Sequence, residues 1–64
     1  KLKPNLAHIH NNLGNVLFSE GNIEEAISHY KLAIKLKPDF VIAHKNLASA
    51  LLQQKYQGSN LDGF

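Results

Sequence analysis

Apolar residues recur at spacings of three and four along three successive stretches of this chain, and each stretch predicts an amphipathic helix. In the first, Leu6, Ile9, His10, Leu13 and Leu17 share one face, predicting a helix over about 6–20. Asn5 stands where a side-chain oxygen can cap that helix, and Gly21 where a residue tolerant of positive φ can end it. Ile23, Ala26, Ile27, Tyr30, Ala33 and Ile34 form the second stripe, over about 22–36. Asn22, with Glu25 three residues on, resembles a capping box. Glu24 and Glu25 at the start of this helix and Lys35 and Lys37 at its end both suit its dipole. Pro38 forces it to stop, because proline disfavours helix in the residue before it. The third stripe, Phe40, Ala43, His44, Leu47, Ala48 and Leu51, predicts a helix over about 39–55 with Asp39 as its cap. Residues 57–64 are short, polar and glycine-containing, and read as a flexible tail.

Small residues add a second expectation. Ala26 and Ala33 would let the second helix lie close against the first. Gly14, in the middle of the first helix, costs about 1 kcal/mol relative to alanine. Such a glycine suggests a close approach by a neighbouring helix.

The chain also repeats itself. Lys1-Leu2-Lys3-Pro4 recurs as Lys35-Leu36-Lys37-Pro38, displaced by 34 residues, and the same offset carries His10, Asn12, Leu13 and Leu17 onto His44, Asn46, Leu47 and Leu51. His10-x-x-Leu13-Gly14-x-x-Leu17, then Ala26-x-x-x-Tyr30, Ala33 and Pro38, resembles the tetratricopeptide repeat. The resemblance implies an all-α fold of antiparallel helix-turn-helix repeats, here a short right-handed α-solenoid fragment. On that reading residues 1–56 hold the end of one repeat, one complete repeat and the first helix of the next, with the tail beyond. Solenoids usually need about three repeats with polar caps. The third helix is therefore expected to leave apolar surface uncovered, inviting either self-association into a homo-oligomer or poor ordering.

Length and charge narrow the classes. A chain of 64 residues supports one small domain, which buries only about 60% of its unfolded surface. There is no cysteine to add disulfides or thiolate metal sites, a composition that fits an intracellular, cytoplasmic protein. No apolar run approaches the roughly 18 residues of a membrane span, so no membrane partner is expected. The first residue already sits in the register of the repeat, so a signal peptide is not expected and the chain reads as a piece of something longer. The net charge is +2, and the seven lysines are spread along the chain with no arginine among them. Nucleic-acid binders concentrate such charge and use arginine forks, so no nucleic acid is expected.

Candidate chemistry is sparse. His8 and His10 lie two apart, so on a helix their side chains diverge by roughly 200° and cannot share an ion. His10 and His44 stand at equivalent places of the two repeats, where packing with one ring nitrogen hydrogen-bonded is favoured over metal ligation. His29 falls on the outward side of the second helix and reads as solvated. No nucleophile has a base at a plausible spacing, Ser28 and His29 being adjacent on a helix, and the glycines form no phosphate-cradling loop. Neither catalysis, a metal nor a cofactor is expected.

Asparagine is the informative residue. Asn11, Asn12 and Asn15 crowd the first helix although asparagine is a weak helix former. In the family resembled, the first helix of each repeat lines a concave groove. The resemblance implies that His8, Asn11, Asn12, Asn15 and Ser19 face it in one repeat, and Ile42, Lys45, Asn46, Ser49 and Gln53 in the next. An amide both donates and accepts, which suits the backbone of an extended peptide whatever its sequence. The recurrence of Asn12 as Asn46, and the string from Ala43 to Ser49, resemble the asparagine ladder of O-linked N-acetylglucosamine transferase-type arrays. A carboxylate clamp of the kind that binds chaperone tails is disfavoured, since arginine is absent and Asn11 stands in the lysine place. The expectation is a non-catalytic scaffold module for protein or peptide binding. The alternatives are a substrate-selecting segment of a larger glycosyltransferase or, with less support, an RNA-binding helical repeat.

Overall fold

A computed structural model describes the backbone of residues 5–62 and the side-chain environments of residues 5–57. The expected end of a preceding helix at Lys1–Pro4 and the last two residues of the expected tail lie outside the described residues. The fold is all-α: α1 Leu6–Ser19, α2 Ile23–Leu36 and α3 Val41–Asp62, in that order. α2 packs along both α1 and α3, whereas α1 and α3 touch at few points.

The caps explain most of the boundaries. Asn5 Oδ1 accepts a hydrogen bond from the backbone N–H of His8 at 3.3 Å, satisfying one donor at the start of α1. α1 ends in a Schellman turn. The N–H of Gly21 reaches the carbonyl of Phe18 at 3.0 Å, and the N–H of Asn22 reaches that of Leu17 at 2.9 Å. Gly21 has φ +87°, a conformation glycine adopts without cost. α2 begins at Ile23 after Asn22, whose side chain makes no capping bond, so the expected capping box is not formed.

α3 departs from expectation at both ends. It begins at Val41 rather than 39, and Asp39 does not play the part of Asn5. Its carboxylate instead sits 3.5 Å from Lys37 Nζ, while the N–H of Phe40 closes a turn onto the carbonyl of Lys37 at 3.0 Å. The helix runs on to Asp62, so the stretch expected to be an irregular tail is helical from 57 to Asp62. The position 34 residues after Gly21 is Lys55, which does nothing to stop a helix. Each further residue then adds a hydrogen bond at little entropic cost, and Gly58 is tolerated.

Two small clusters make the core. One joins Ile23, Ala26, Ile27 and Tyr30 of α2 to Ala50 of α3, with Leu17, Phe18 and Leu47 packed against it. The other joins Ala7, Ala33, Phe40 and Ala43, with Ile34 beside it. The stripe expected on α2 is thus buried. The stripes expected on α1 and α3 are rotated: Leu6, Ile9 and Leu13 are exposed, and α1 turns Ala7, Asn11 and Gly14 inward instead. On α3, His44, Ala48 and Leu51 are exposed, and Ala50 takes the buried place. Small residues win these positions because helices that approach closely leave no room for leucine there. Gly14 shows the limit, since a Cβ built on it would lie 2.6 Å from Cε1 of Tyr30.

Candidate functional site

The residues expected to line a groove come from α1 and α3, and two contacts bring these helices together. The ring of His8 lies 4.6 Å from that of Phe40, centroid to centroid and tilted by 43°. One turn further on, Asn46 Nδ2 donates to Asn11 Oδ1 at 3.0 Å. Phe40 is also wedged over Ala7, Ala33 and Ala43, which fixes the start of α3 against both other helices.

The structure sorts the ten candidates by what their side chains already do. Asn11, expected to face the groove, is 5% exposed, and its amide oxygen is taken by Asn46. Asn46 is half-buried and keeps its own amide oxygen and a second N–H. Asn15 is exposed but accepts from the Tyr30 hydroxyl at 2.6 Å. Ser19 turns back to its own helix, donating to the carbonyl of Val16 at 2.8 Å. Asn12, Lys45, Ser49 and Gln53 are exposed, as is Ile42, and none of their side chains makes a hydrogen bond among the described residues. Asn12 and Asn46 therefore occupy equivalent places in the repeat but different environments. The Asn11–Asn46 pair was not legible from the 34-residue period. It spans 35 positions and depends on how the two helices are set side by side.

Burial raises the pKa of the Tyr30 phenol, which keeps it neutral and able to donate to Asn15. A shallow depression of about 350 Å³ lies elsewhere, lined by Gly21, Asn22, Ile23, Glu24, Glu25 and Gln57. It contains none of the ten candidates.

The histidines are placed partly against expectation. His10 Nδ1 lies 3.0 Å from His29 Nδ1, with the ring centroids 5.2 Å apart and the ring planes 21° from parallel. His29 is therefore not a solvated outward residue; it is half-buried in the seam between α1 and α2. The offset of 19 between these residues follows no helical period, and only helix packing reveals it. His44 is exposed rather than packed between helices, and its Nε2–H donates to the carbonyl of Pro38 at 2.8 Å. No helix among the described residues is long and apolar enough to cross a membrane.

Comparison with protein families matches residues 14–55 to the family described as TPR repeat. No curated protein and no solved structure matches the chain.

Proposed function

The chain belongs to the TPR repeat family, whose modules generally mediate protein–protein interaction, and from that premise we propose that it binds an extended segment of a partner protein along the face shared by α1 and α3. The observation that carries this reading is the Asn46–Asn11 hydrogen bond. It joins the polar rows of two successive first helices into one surface and leaves Asn12, Lys45 and Ser49 exposed beside it. Asn12 and the unused valences of Asn46 supply donors and acceptors for a peptide backbone, and Lys45 favours acidic segments. Ile42, exposed in the same row, offers an apolar contact. The module itself carries out no chemistry in this reading. A substrate-selecting segment of a glycosyltransferase would use the same asparagines in the same way.

Peptides selected from a random display library against the folded chain provide the test. Asn12→Ala and Asn46→Ala should each weaken their binding about five- to tenfold, the worth of roughly one hydrogen bond, across peptides of unrelated sequence. Lys45→Ala should weaken acidic peptides selectively and reduce their salt dependence. Unchanged binding in both asparagine variants would sink this reading.

The exposed apolar residues support a second, weaker contact. We infer that copies of the chain associate through the outer faces of α1 and α3, where Leu6, Ile9, Leu13 and Val16 on one side and Leu51 and Leu52 on the other stand in water.

A further inference from the structure

The seam between α1 and α2 holds a pair of side chains that the interaction surface does not use. His10 and His29 are presented by two different helices, both half-buried, with their Nδ1 atoms 3.0 Å apart. Neither ring has another hydrogen-bond partner among the described residues. The other two histidines are engaged elsewhere, His8 against Phe40 and His44 on the carbonyl of Pro38. With one proton between them the two Nδ1 atoms make a hydrogen bond. With both protons on Nε2 the two Nδ1 lone pairs would face each other nearly head-on, a repulsion that a cation bound beside the pair relieves.

We propose that His10 and His29 form a two-imidazole chelate for a late first-row divalent metal ion, bridging α1 and α2. Metal–imidazole bonds are about 2.0–2.1 Å long, so nitrogens 3.0 Å apart subtend about 91–97° at the ion. That is the cis angle of square-planar and octahedral coordination. Tetrahedral zinc would ask for a separation of about 3.3 Å at the same bond length. The rings meet almost end to end, with centroids 5.2 Å apart, so each must turn by roughly 25° to aim its Nδ1 at such a site. The angle then suits Cu(II) and Ni(II), and the general order of affinities places copper first. No third His, Cys, Asp or Glu joins the pair among the described residues, so water completes the coordination sphere. The proton balance is simple: the ring that donates from Nδ1 moves its proton to Nε2 through solvent, and each Nδ1 then gives a lone pair to the metal. Because the two ligands come from different helices, the bound ion pins α1 to α2 and favours the folded state.

The test uses CuCl2 and NiCl2 with the whole chain at pH 7.5. At one equivalent of Cu(II), the electron paramagnetic resonance spectrum should show coupling to two imidazole nitrogens, reduced to one in His29→Gln and in His10→Gln. Ni(II) at about ten times its dissociation constant should raise the thermal midpoint by roughly 5–10 °C. Either glutamine variant should lose that rise, and His8→Gln should keep it. If one variant fails to fold, the other and the spectrum still decide. The proposal is overturned if His29→Gln gives the same two-nitrogen spectrum as the parent, or if the metal leaves the midpoint unchanged or lowers it.

Discussion

Gly14 and Tyr30 are one packing decision written at two positions. The ring of Tyr30, 2% exposed, lies where a methyl group on Gly14 would have to be. In α3 the equivalent of Gly14 is Ala48, which is exposed and has no such ring against it. Gly14→Ala should gain about 1 kcal/mol of helix propensity but force a buried aromatic out of place. Overpacking of this kind costs about 1–3 kcal/mol, and backbone displacement adds to it. We expect a net loss of about 1–2 kcal/mol, read as a fall of roughly 4–16 °C in the melting midpoint. An unchanged or raised midpoint would show that the ring can step aside. Tyr30 makes a second prediction. Its folded-state pKa lies above the ordinary value of 10.0 because burial disfavours the phenolate, and ionisation would also remove the proton donated to Asn15. The neutral phenol's contribution is therefore whole below pH 10 and is lost as the pH climbs through the raised value. Urea midpoints between pH 9 and 11.5 should fall more steeply for the parent than for Tyr30→Phe. The lysines titrate in both chains, so it is the difference in slope that reports on Tyr30.

The helices were legible as elements because period, cap and stop agree at most of their ends. Asn5 caps α1, Gly21 ends it in the left-handed conformation, and Pro38 stands just past the end of α2. Where a single signal stood alone it failed. Asp39 looked like a cap by analogy with Asn5, yet a lysine two residues away takes its carboxylate and α3 starts later. The polar, glycine-containing stretch 57–64 looked like a tail, yet the glycine that matters for ending a first helix is the one at Gly21, and Lys55 stands in its place. Which face of each helix points inward was less legible. In α2 the predicted stripe of Ile23, Ala26, Ile27, Tyr30 and Ala33 is the buried one, because that helix is sandwiched, while Leu32 and Leu36 stay exposed. In α1 and α3 each helix has two apolar faces, and period alone cannot say which of them meets α2. The candidate groove shares this difficulty. The exposure of Asn12, Lys45 and Ser49 agrees with their places on the helices. The diversion of Asn11 to Asn46 and of Asn15 to Tyr30 depends on distances between helices that no single-helix pattern contains.

Applying the 34-residue offset to the packed molecule accounts for its exposed apolar surface. Phe40, just before α3, and Ala43 and Ala50 within it are buried against the neighbouring helices, with Leu47 packed beside them. Their equivalents in α1 are Leu6, Ile9, Val16 and Leu13, and all four are exposed. Conversely, α1 presents Gly14, Leu17 and Phe18 toward α2, and their equivalents Ala48, Leu51 and Leu52 in α3 are exposed. Each first helix thus carries two docking faces. α2 fills one on each, and the unfilled pair lies on opposite sides of the stack. An outer face of α1 meeting an outer face of α3 on the next copy is a head-to-tail contact, which does not close on itself and can grow. Sedimentation equilibrium across a concentration series should show a mass that rises with concentration, with helicity rising alongside. Leu51→Glu should weaken the association about tenfold or more, because a carboxylate would have to be buried without a partner. Ile9→Glu separates the geometries: it should weaken a head-to-tail contact as strongly, and leave an α3-to-α3 contact untouched. A mass that stays monomeric throughout would refute self-association. It would also mean that these faces recognise a helix shaped like α2, with alanine and tyrosine on its stripe, and reject each other because two leucine-rich faces cannot approach as closely.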